Sequence, residues 1–497
     1  REFLWQEGHC VYATEEEYKT EVEEMTRLAR EIEEKFKGQL NIAENINSCL
    51  DKLRDLYQKM SLTNSYASLS AAVDQTNEEN QRRQMEFRNI MSDVESKLSF
   101  IKSEIIQADE EVINKAMEES SENEGYLKEI LRGKEYVLHP EVEKVISALS
   151  NTLNAPYQIY NRAKLADMDF GTFEVDGTEY PLSFVLFEGE WEYEEDTEVR
   201  RAAFETFSEK LKEYQHTMAA TYQTQVQKEK TLADLRGYDS VIDSLLFDQK
   251  VDRELYDRQI DLIMEHLAPH MRKYAELLQE IHGLDEMTFA DLKLDVDPDF
   301  EPEITVDKAR EHIKNALSIM GDDYLEMVEK AFEERWVDFV QNKGKSTGAF
   351  CASPYGSHPY ILISWTEKMK EAFVLAHELG HAGHFYFAQQ EQNIFDTRPS
   401  LYCVEAPSTM NEMLMANYLM NTIDDPRMER WVLSSIISRT YYHNFVTHLL
   451  EAHYQRKVYK IIEDGGSVQA PTLHKLKKDT LEEFWGDTVR INQGAEL

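Results

Sequence analysis

Residues 373–387, Phe-Val-Leu-Ala-His-Glu-Leu-Gly-His-Ala-Gly-His-Phe-Tyr-Phe, restrict what this chain can fold into more than any other stretch. His377 and His381 stand four apart, and an α-helix turns that spacing into one face, with both imidazoles in reach of a single metal ion. Glu378 follows the first histidine directly, so its carboxylate lies beside such an ion rather than on it. There it can hold a water and take its proton once the metal has lowered the water's pKa to about 7. The flanks are uncharged: Phe373, Val374, Leu375 and Ala376 before the pair, Leu379, Gly380, Ala382 and Gly383 around it and after. A buried helix carrying three polar groups has to use them, because an unpaired polar group in a dry site costs roughly 2–7 kcal/mol. These flanks favour a zinc site over two core histidines hydrogen-bonded in place. Phe387 stands where a metzincin would carry a third histidine, which excludes that subclass. His384, one turn past His381, reads as a packing or ligand-orienting residue.

A catalytic zinc takes three protein ligands and keeps one position open. Candidates for the third lie in Tyr402-Cys403-Val404-Glu405-Ala406-Pro407-Ser408-Thr409-Met410-Asn411-Glu412. Glu405 comes first, and Pro407 just after it suits the first turn of a new helix. Glu412, seven residues on, returns to the same face two turns later, as an alternative ligand or as a carboxylate that orients one. Spacing alone favours Glu405 only slightly. Cys403, beside two carboxylates, reads as a small packing residue.

His377-Glu-Leu-Gly-His381 followed by Val404-Glu-Ala-Pro-Ser-Thr-Met-Asn-Glu412 resembles the oligoendopeptidase F branch of the thimet-type zinc oligopeptidases. Further similarity lies upstream, in Arg335-Trp336-Val337-Asp338, Asn342-Lys343-Gly344-Lys345, Gly348-Ala349-Phe350 and His358-Pro359-Tyr360-Ile361, and it reaches back more weakly to Ala13-Thr14. The resemblance implies that His377, His381 and Glu405 bind one Zn2+ per chain and that Glu378 is the general base. It implies a mostly α, large helical peptidase fold whose deep channel admits short peptides and excludes folded proteins. The family's further motif, tyrosines with a histidine that donate to the tetrahedral intermediate, finds no match between Glu405 and Leu497. The chain stops about where that region would begin. The resemblance thus implies either an incomplete C-terminal end or a protein without the usual oxyanion donors, each typically worth about 10²–10³ in rate. The rival readings are a zinc-binding homologue that no longer cleaves, a zinc carboxypeptidase, and a helical scaffold with an incidental motif.

The chain has 497 residues and carries 94 acidic against 54 basic residues, a net charge of −40, which argues against nucleic acid or an anionic membrane as a partner. It keeps the surface solvated and gives cationic peptides a weak, salt-dependent advantage. No run of about 18 apolar residues exists, so no membrane span is expected. Cys10, Cys49, Cys351 and Cys403 are scattered without paired spacing, which fits a reducing cytoplasm better than a disulfide scaffold. The start, Arg1-Glu-Phe-Leu-Trp5, has neither Met nor a signal-peptide pattern. Short peptide substrates are the expected partners, and none of these features sets the oligomeric state.

Two lobes are expected: 1–195, helical with a hairpin near 172–180, and 196–497, a catalytic helical lobe holding the zinc site. Thr14 with Glu17 reads as a capping box opening a helix that ends near Lys37-Gly38. Charged helical patterns continue over 41–130, with Asn123-Glu124-Gly125 as a break, and His139-Pro140 opens a helix to about Leu153. Asp176-Gly177 between two alternating runs predicts the hairpin. Helices are expected over 196–235, 251–282, 306–341, 408–463 and 472–487, with a surface loop over 285–305. Two short strands over 348–356 and 359–364 would stand beside the zinc helix. An extended peptide can add to such a strand, making Ala349 on it and His358 at its entrance candidate substrate contacts. His443, His448 and His453 recur every five residues and would point in different directions on an α-helix, so they do not read as a ligand set.

Overall fold

A computed structural model describes residues 11–497. Helices make up 71% of it, which places the chain in the expected mostly α class. Contacts divide it into two compact units, each assembled from two stretches: the described residues up to Glu135 with Glu301–Asp424, and Tyr136–Phe300 with Asp425–Leu497. The lobe boundary expected near 195 falls inside the second unit. Local pattern marks where helices end, whereas unit membership depends on which faces pack, and those partners are far apart in the chain.

The first unit opens with helices Glu15–Phe36, Ala43–Val73 and Glu78–Leu98 around a core of Met25, Ile32, Ile46, Leu50 and Leu56. Thr14 caps the first of these by accepting from the Glu17 N–H (3.2 Å), while the Glu17 carboxylate reaches back to the Ala13 N–H (2.9 Å). Helix Ser121–Gly133 runs straight through Asn123-Glu124-Gly125, so the expected break is absent. Asn123 is buried, accepts from Arg54 and donates to Asn47 (3.0 Å) and Asp51 (3.2 Å). These tertiary partners outweigh the weak helix preference of the triplet.

In the second unit β1 (Thr172–Val175) and β2 (Thr178–Pro181) form the expected antiparallel hairpin. Asp176 and Gly177 sit at φ 51 and 77, the pair of left-handed positions that a type I′ turn needs. The stretch 285–305 departs from its expected surface placement, because Met287, Ala290, Asp291, Leu292 and Leu294 are buried. Its acidic composition concealed an ion pair. Asp291 accepts from Arg200 Nη2 (2.6 Å), Arg201 Nη2 (2.7 Å) and Thr288 Oγ1 (2.6 Å).

The first unit also holds a three-stranded sheet, β3 (Val337–Asp338), β4 (Ala349–Ala352) and β5 (Tyr360–Ile363), in the order β3-β5-β4. β4 pairs antiparallel and β3 parallel with the central β5. β4 and β5 are the two strands read from the sequence; β3 spans two residues at the end of a helical pattern, too short to announce itself. The buried Lys345 ammonium donates to the carbonyls of Asp338 (3.0 Å), Val340 (2.8 Å) and Ile363 (2.8 Å) and so ties the connecting loop to this sheet. No helix among the described residues is long and apolar enough to cross a membrane.

Removing the Asp291 carboxylate leaves the buried Arg200 guanidinium without its counter-ion. Asp291→Ala is therefore expected to destabilise the fold by about 3–5 kcal/mol, read as a lower thermal unfolding temperature. Burial opposes ionisation of this carboxyl, yet hydrogen bonds from Arg201, Thr288 and Arg200 hold it below the ordinary value. A lowered folded pKa gives stability that is complete above the unfolded value of about 3.9 and is lost as pH falls through the folded value. The difference between native chain and variant should accordingly shrink below about pH 4.

Candidate active site

Met369–Glu391 forms the histidine helix. Glu371 accepts from the backbone N–H groups of Thr366 (2.5 Å) and Lys368 (3.3 Å), which places negative charge at the positive end of the helix. Leu375, Ala376, Leu379 and Ala382 are fully buried, so the apolar flanks do wrap the motif in core. The rings of His377 and His381 lie on one face with centroids 5.0 Å apart.

Opposite them runs the glutamate helix, Ala406–Thr422, with Glu405 at its N-terminal cap. One oxygen, Glu405 Oε2, lies 3.2 Å from His377 Nε2 and 3.2 Å from His381 Nε2. Among the described residues these three form a group whose candidate ligand atoms all fall within 4.8 Å of one another. Two imidazoles and a carboxylate are a donor set that suits zinc. Bonds of about 2.0–2.2 Å give tetrahedral edges of about 3.3–3.5 Å, close to the observed separations. The Glu405 side chain is 59% exposed, which leaves that side of the group open.

Glu412, the alternative ligand by spacing, sits on the other side of the same imidazole. Its Oε1 is 2.6 Å from His377 Nδ1, and a proton held there leaves the Nε2 lone pair free for a metal. His381 Nδ1 is buried without a hydrogen-bond partner among the described residues. Three further side chains, passed over in the sequence, complete the frame. Ser408 Oγ donates to Glu405 Oε2 (2.8 Å), and buried Asn411 donates to the Ala376 carbonyl (3.0 Å) and to Tyr324 Oη (3.0 Å). Ser408 stands three residues after Glu405, so helical spacing was the available signal for it, whereas the partners of Asn411 lie on other segments and left no local signal.

Gly380 sets how near the two helices come. A Cβ there would lie 2.5 Å from Ser408 Cα and 2.6 Å from the Pro407 carbonyl oxygen, backbone that cannot swing aside. The glycine between Leu379 and His381 is thus what lets Glu405 reach the histidines.

Charge at the site is unbalanced. Burial pushes the Glu378 carboxyl up to about 7, with His377 opposing and Glu405 and Glu412 adding to the rise. Burial likewise presses on both histidines; His381 is held below its ordinary value, whereas the Glu412 hydrogen bond and charge keep His377 above it. Three carboxylates around two imidazoles make a field that a divalent cation would neutralise.

β4 runs beside this group. Burial pushes the Cys351 thiol on that strand up to about 12, and the Glu378 charge adds to the shift. Ala349 lies two residues earlier on the same strand, half-buried. His358 stacks on Trp336 with centroids 5.1 Å apart, meets the Tyr360 ring at 4.3 Å, and has its Nδ1 2.6 Å from the Pro359 carbonyl. His384 has its Nδ1 buried without a partner among the described residues and makes no hydrogen bond to the ligand group. Cys403, expected to pack, is exposed.

The profile of Peptidase family M3 matches residues 191–493, and that of Oligopeptidase F matches residues 104–170. The chain belongs to peptidase family M3. This M3 chain is 25% identical over 492 residues to Oligopeptidase PepF of Bacillus subtilis (strain 168), a match covering 98% of the chain and 73% of that relative. It is 26% identical over 487 residues to Group B oligopeptidase PepB of Streptococcus agalactiae serotype III (strain NEM316), covering 97% and 80%. A solved chain from Chlamydophila abortus superposes with a TM-score of 0.87 at 22% identity, covering 100% of this chain and 84% of that one. Oligoendopeptidase-F from Enterococcus faecium gives a TM-score of 0.71 at 21% identity, covering 97% and 82%. These structures share the mostly α M3 fold, and the resemblance to the oligoendopeptidase F branch is borne out.

Glu412→Gln keeps the shape beside His377 and removes the charge, so metal affinity measured by chelator competition is expected to fall about 10–100-fold. Gly380→Ala should lower stability by about 1–3 kcal/mol and weaken the metal in the same assay, because Glu405 must retreat with its helix.

Proposed function

We infer that this M3 peptidase is a zinc-dependent endopeptidase of short oligopeptides. The observation that carries the reading is the single Glu405 oxygen equidistant from both histidine Nε2 atoms, with the buried Glu378 beside them. His377, His381 and Glu405 would hold the zinc, with Glu412 and Ser408 orienting His377 and Glu405. Zinc, when bound, supplies a Lewis acid that polarises the scissile carbonyl and acidifies water at its open position.

Glu378 takes a proton from the attacking water and hands it to the leaving amine, one carboxylate serving both steps. Its buried setting keeps competing water away and leaves its proton affinity high enough to accept. β4 is the outer strand of its sheet and runs beside Glu378, which supports a substrate lying along Ala349–Ala352 with its backbone paired to the strand. Recognition through backbone rather than side chains suits a peptidase of mixed short peptides, and the relatives' names, Oligopeptidase PepF and Group B oligopeptidase PepB, agree with that class. Free thiols at Cys49, Cys351 and Cys403 favour the cytoplasm.

The test is Glu378→Gln assayed on a pool of short peptides together with elemental analysis. Cleavage is expected to fall by at least about 10²-fold while zinc stays at one per chain, and His381→Ala should lose the zinc itself. Fragments mapped by mass spectrometry should come from internal bonds; residues released one at a time from the C-terminus would indicate a carboxypeptidase instead. Native turnover in a zinc-loaded Glu378→Gln chain would refute the general-base assignment.

A further inference from the structure

The second unit carries a histidine pair that the peptidase reaction does not use. Ile436–Thr447 is π-helical over 12 residues, a geometry that is usually confined to single turns and is frequent at functional sites. On an α-helix His443 and His448 would point about 140° apart. The wider π turn reverses that expectation and brings the spacing of five back to one face. The His448 backbone N–H donates to the His443 carbonyl, and the two rings meet at 68° with their Nε2 atoms 3.3 Å apart. Both side chains are exposed. His453, the third of the series, is buried and turned away to Glu483 (3.1 Å).

We propose that His443 and His448 chelate a second divalent ion, zinc or its tetrahedral analogue cobalt, through their Nε2 atoms, with water completing the coordination. Metal–nitrogen bonds of about 2.0–2.1 Å at a tetrahedral angle set two nitrogens about 3.3–3.4 Å apart, which is the separation found here. Imidazole is a ligand such ions favour. On the far side of His448, Nδ1 is 3.5 Å from Glu451 Oε2, a long contact that puts a carboxylate on that side of the ring. Burial, with His448 and Lys293 nearby, holds His443 below its ordinary pKa and so favours the neutral ring that a metal needs. With no ion between them the two Nε2 atoms share one N–H···N hydrogen bond, whose proton an ion would displace. The Lys293 ammonium lies over the Tyr442 ring at 4.8 Å and opposes a cation here, and the Glu451 carboxylate offsets it.

An ion bridging these two positions fits the π register and not the α one. It therefore stabilises the turn it binds by mass action, and with two protein ligands it is held more weakly than a three-ligand site. The test equilibrates the untagged whole chain and the variants His443→Gln and His448→Gln with excess zinc chloride, and counts bound zinc by equilibrium dialysis. Each variant is expected to bind one equivalent fewer than the native chain. Zinc added beyond the first equivalent should raise the native unfolding temperature and leave that of either variant unmoved. Because the readout is a difference between chains, it does not depend on what His377, His381 and Glu405 hold. An equal zinc count in native chain and variants, or the same zinc-dependent rise in all three, overturns the proposal.

Discussion

The backbone of Pro407 and Ser408 lies so close to Gly380 that any side chain there would collide with it, and the geometry of the site depends on that approach. It sets Glu405 across from His377 and His381, which belong to the other helix. The polar pins then hold the arrangement: Asn411 to the Ala376 carbonyl, Tyr324 to Asn411, and Ser408 to the Glu405 carboxylate. A helix pair packed through bulkier residues would stand farther apart, and the ligand edges of 3.2 Å would open.

The same closeness creates an electrostatic problem that calls for a cation. Glu378, Glu405 and Glu412 crowd two imidazoles, and burial above all, with the Glu405 and Glu412 charges adding to it, raises the Glu378 carboxyl to about 7. The imbalance is arranged rather than diffuse. Glu412 holds one nitrogen of His377, Glu405 faces the other, and Glu378 is buried close enough for its charge to act on His377. On the proposed reading each carboxylate would have a distinct task around one ion: orient, bind, and carry a proton.

Much of this was legible in the sequence, and the failures have a common cause. The helix through His377 and His381, its buried flanks, the Asp176-Gly177 turn and the two candidate glutamates all follow from spacing and local chemistry, which act within a few residues. What needed the fold was anything decided by a distant partner. Spacing left Glu405 and Glu412 nearly equivalent, and only the approach at Gly380 separates their places. Asn123-Glu124-Gly125 stays helical because Arg54, Asn47 and Asp51 hold Asn123. Asp291 is buried because Arg200 and Arg201 reach it from about 90 residues away. His443 and His448 converge because the helix widens to the π form, a change that α-helical counting cannot register. His358 bonds to the Pro359 carbonyl, and His384 has a buried Nδ1 without a partner among the described residues, contacts that spacing along the chain could not foretell.

The most direct test of the central claim is a crystal structure of the zinc-loaded chain with anomalous data collected at the zinc edge. A peak is expected between the two helices, about 2.0–2.2 Å from His377 Nε2, His381 Nε2 and a Glu405 oxygen, with Glu412 still on His377 Nδ1 and Glu378 outside bonding distance. No anomalous peak at this group, or a zinc bound there through Glu412 or Glu378 in place of Glu405, would contradict the account.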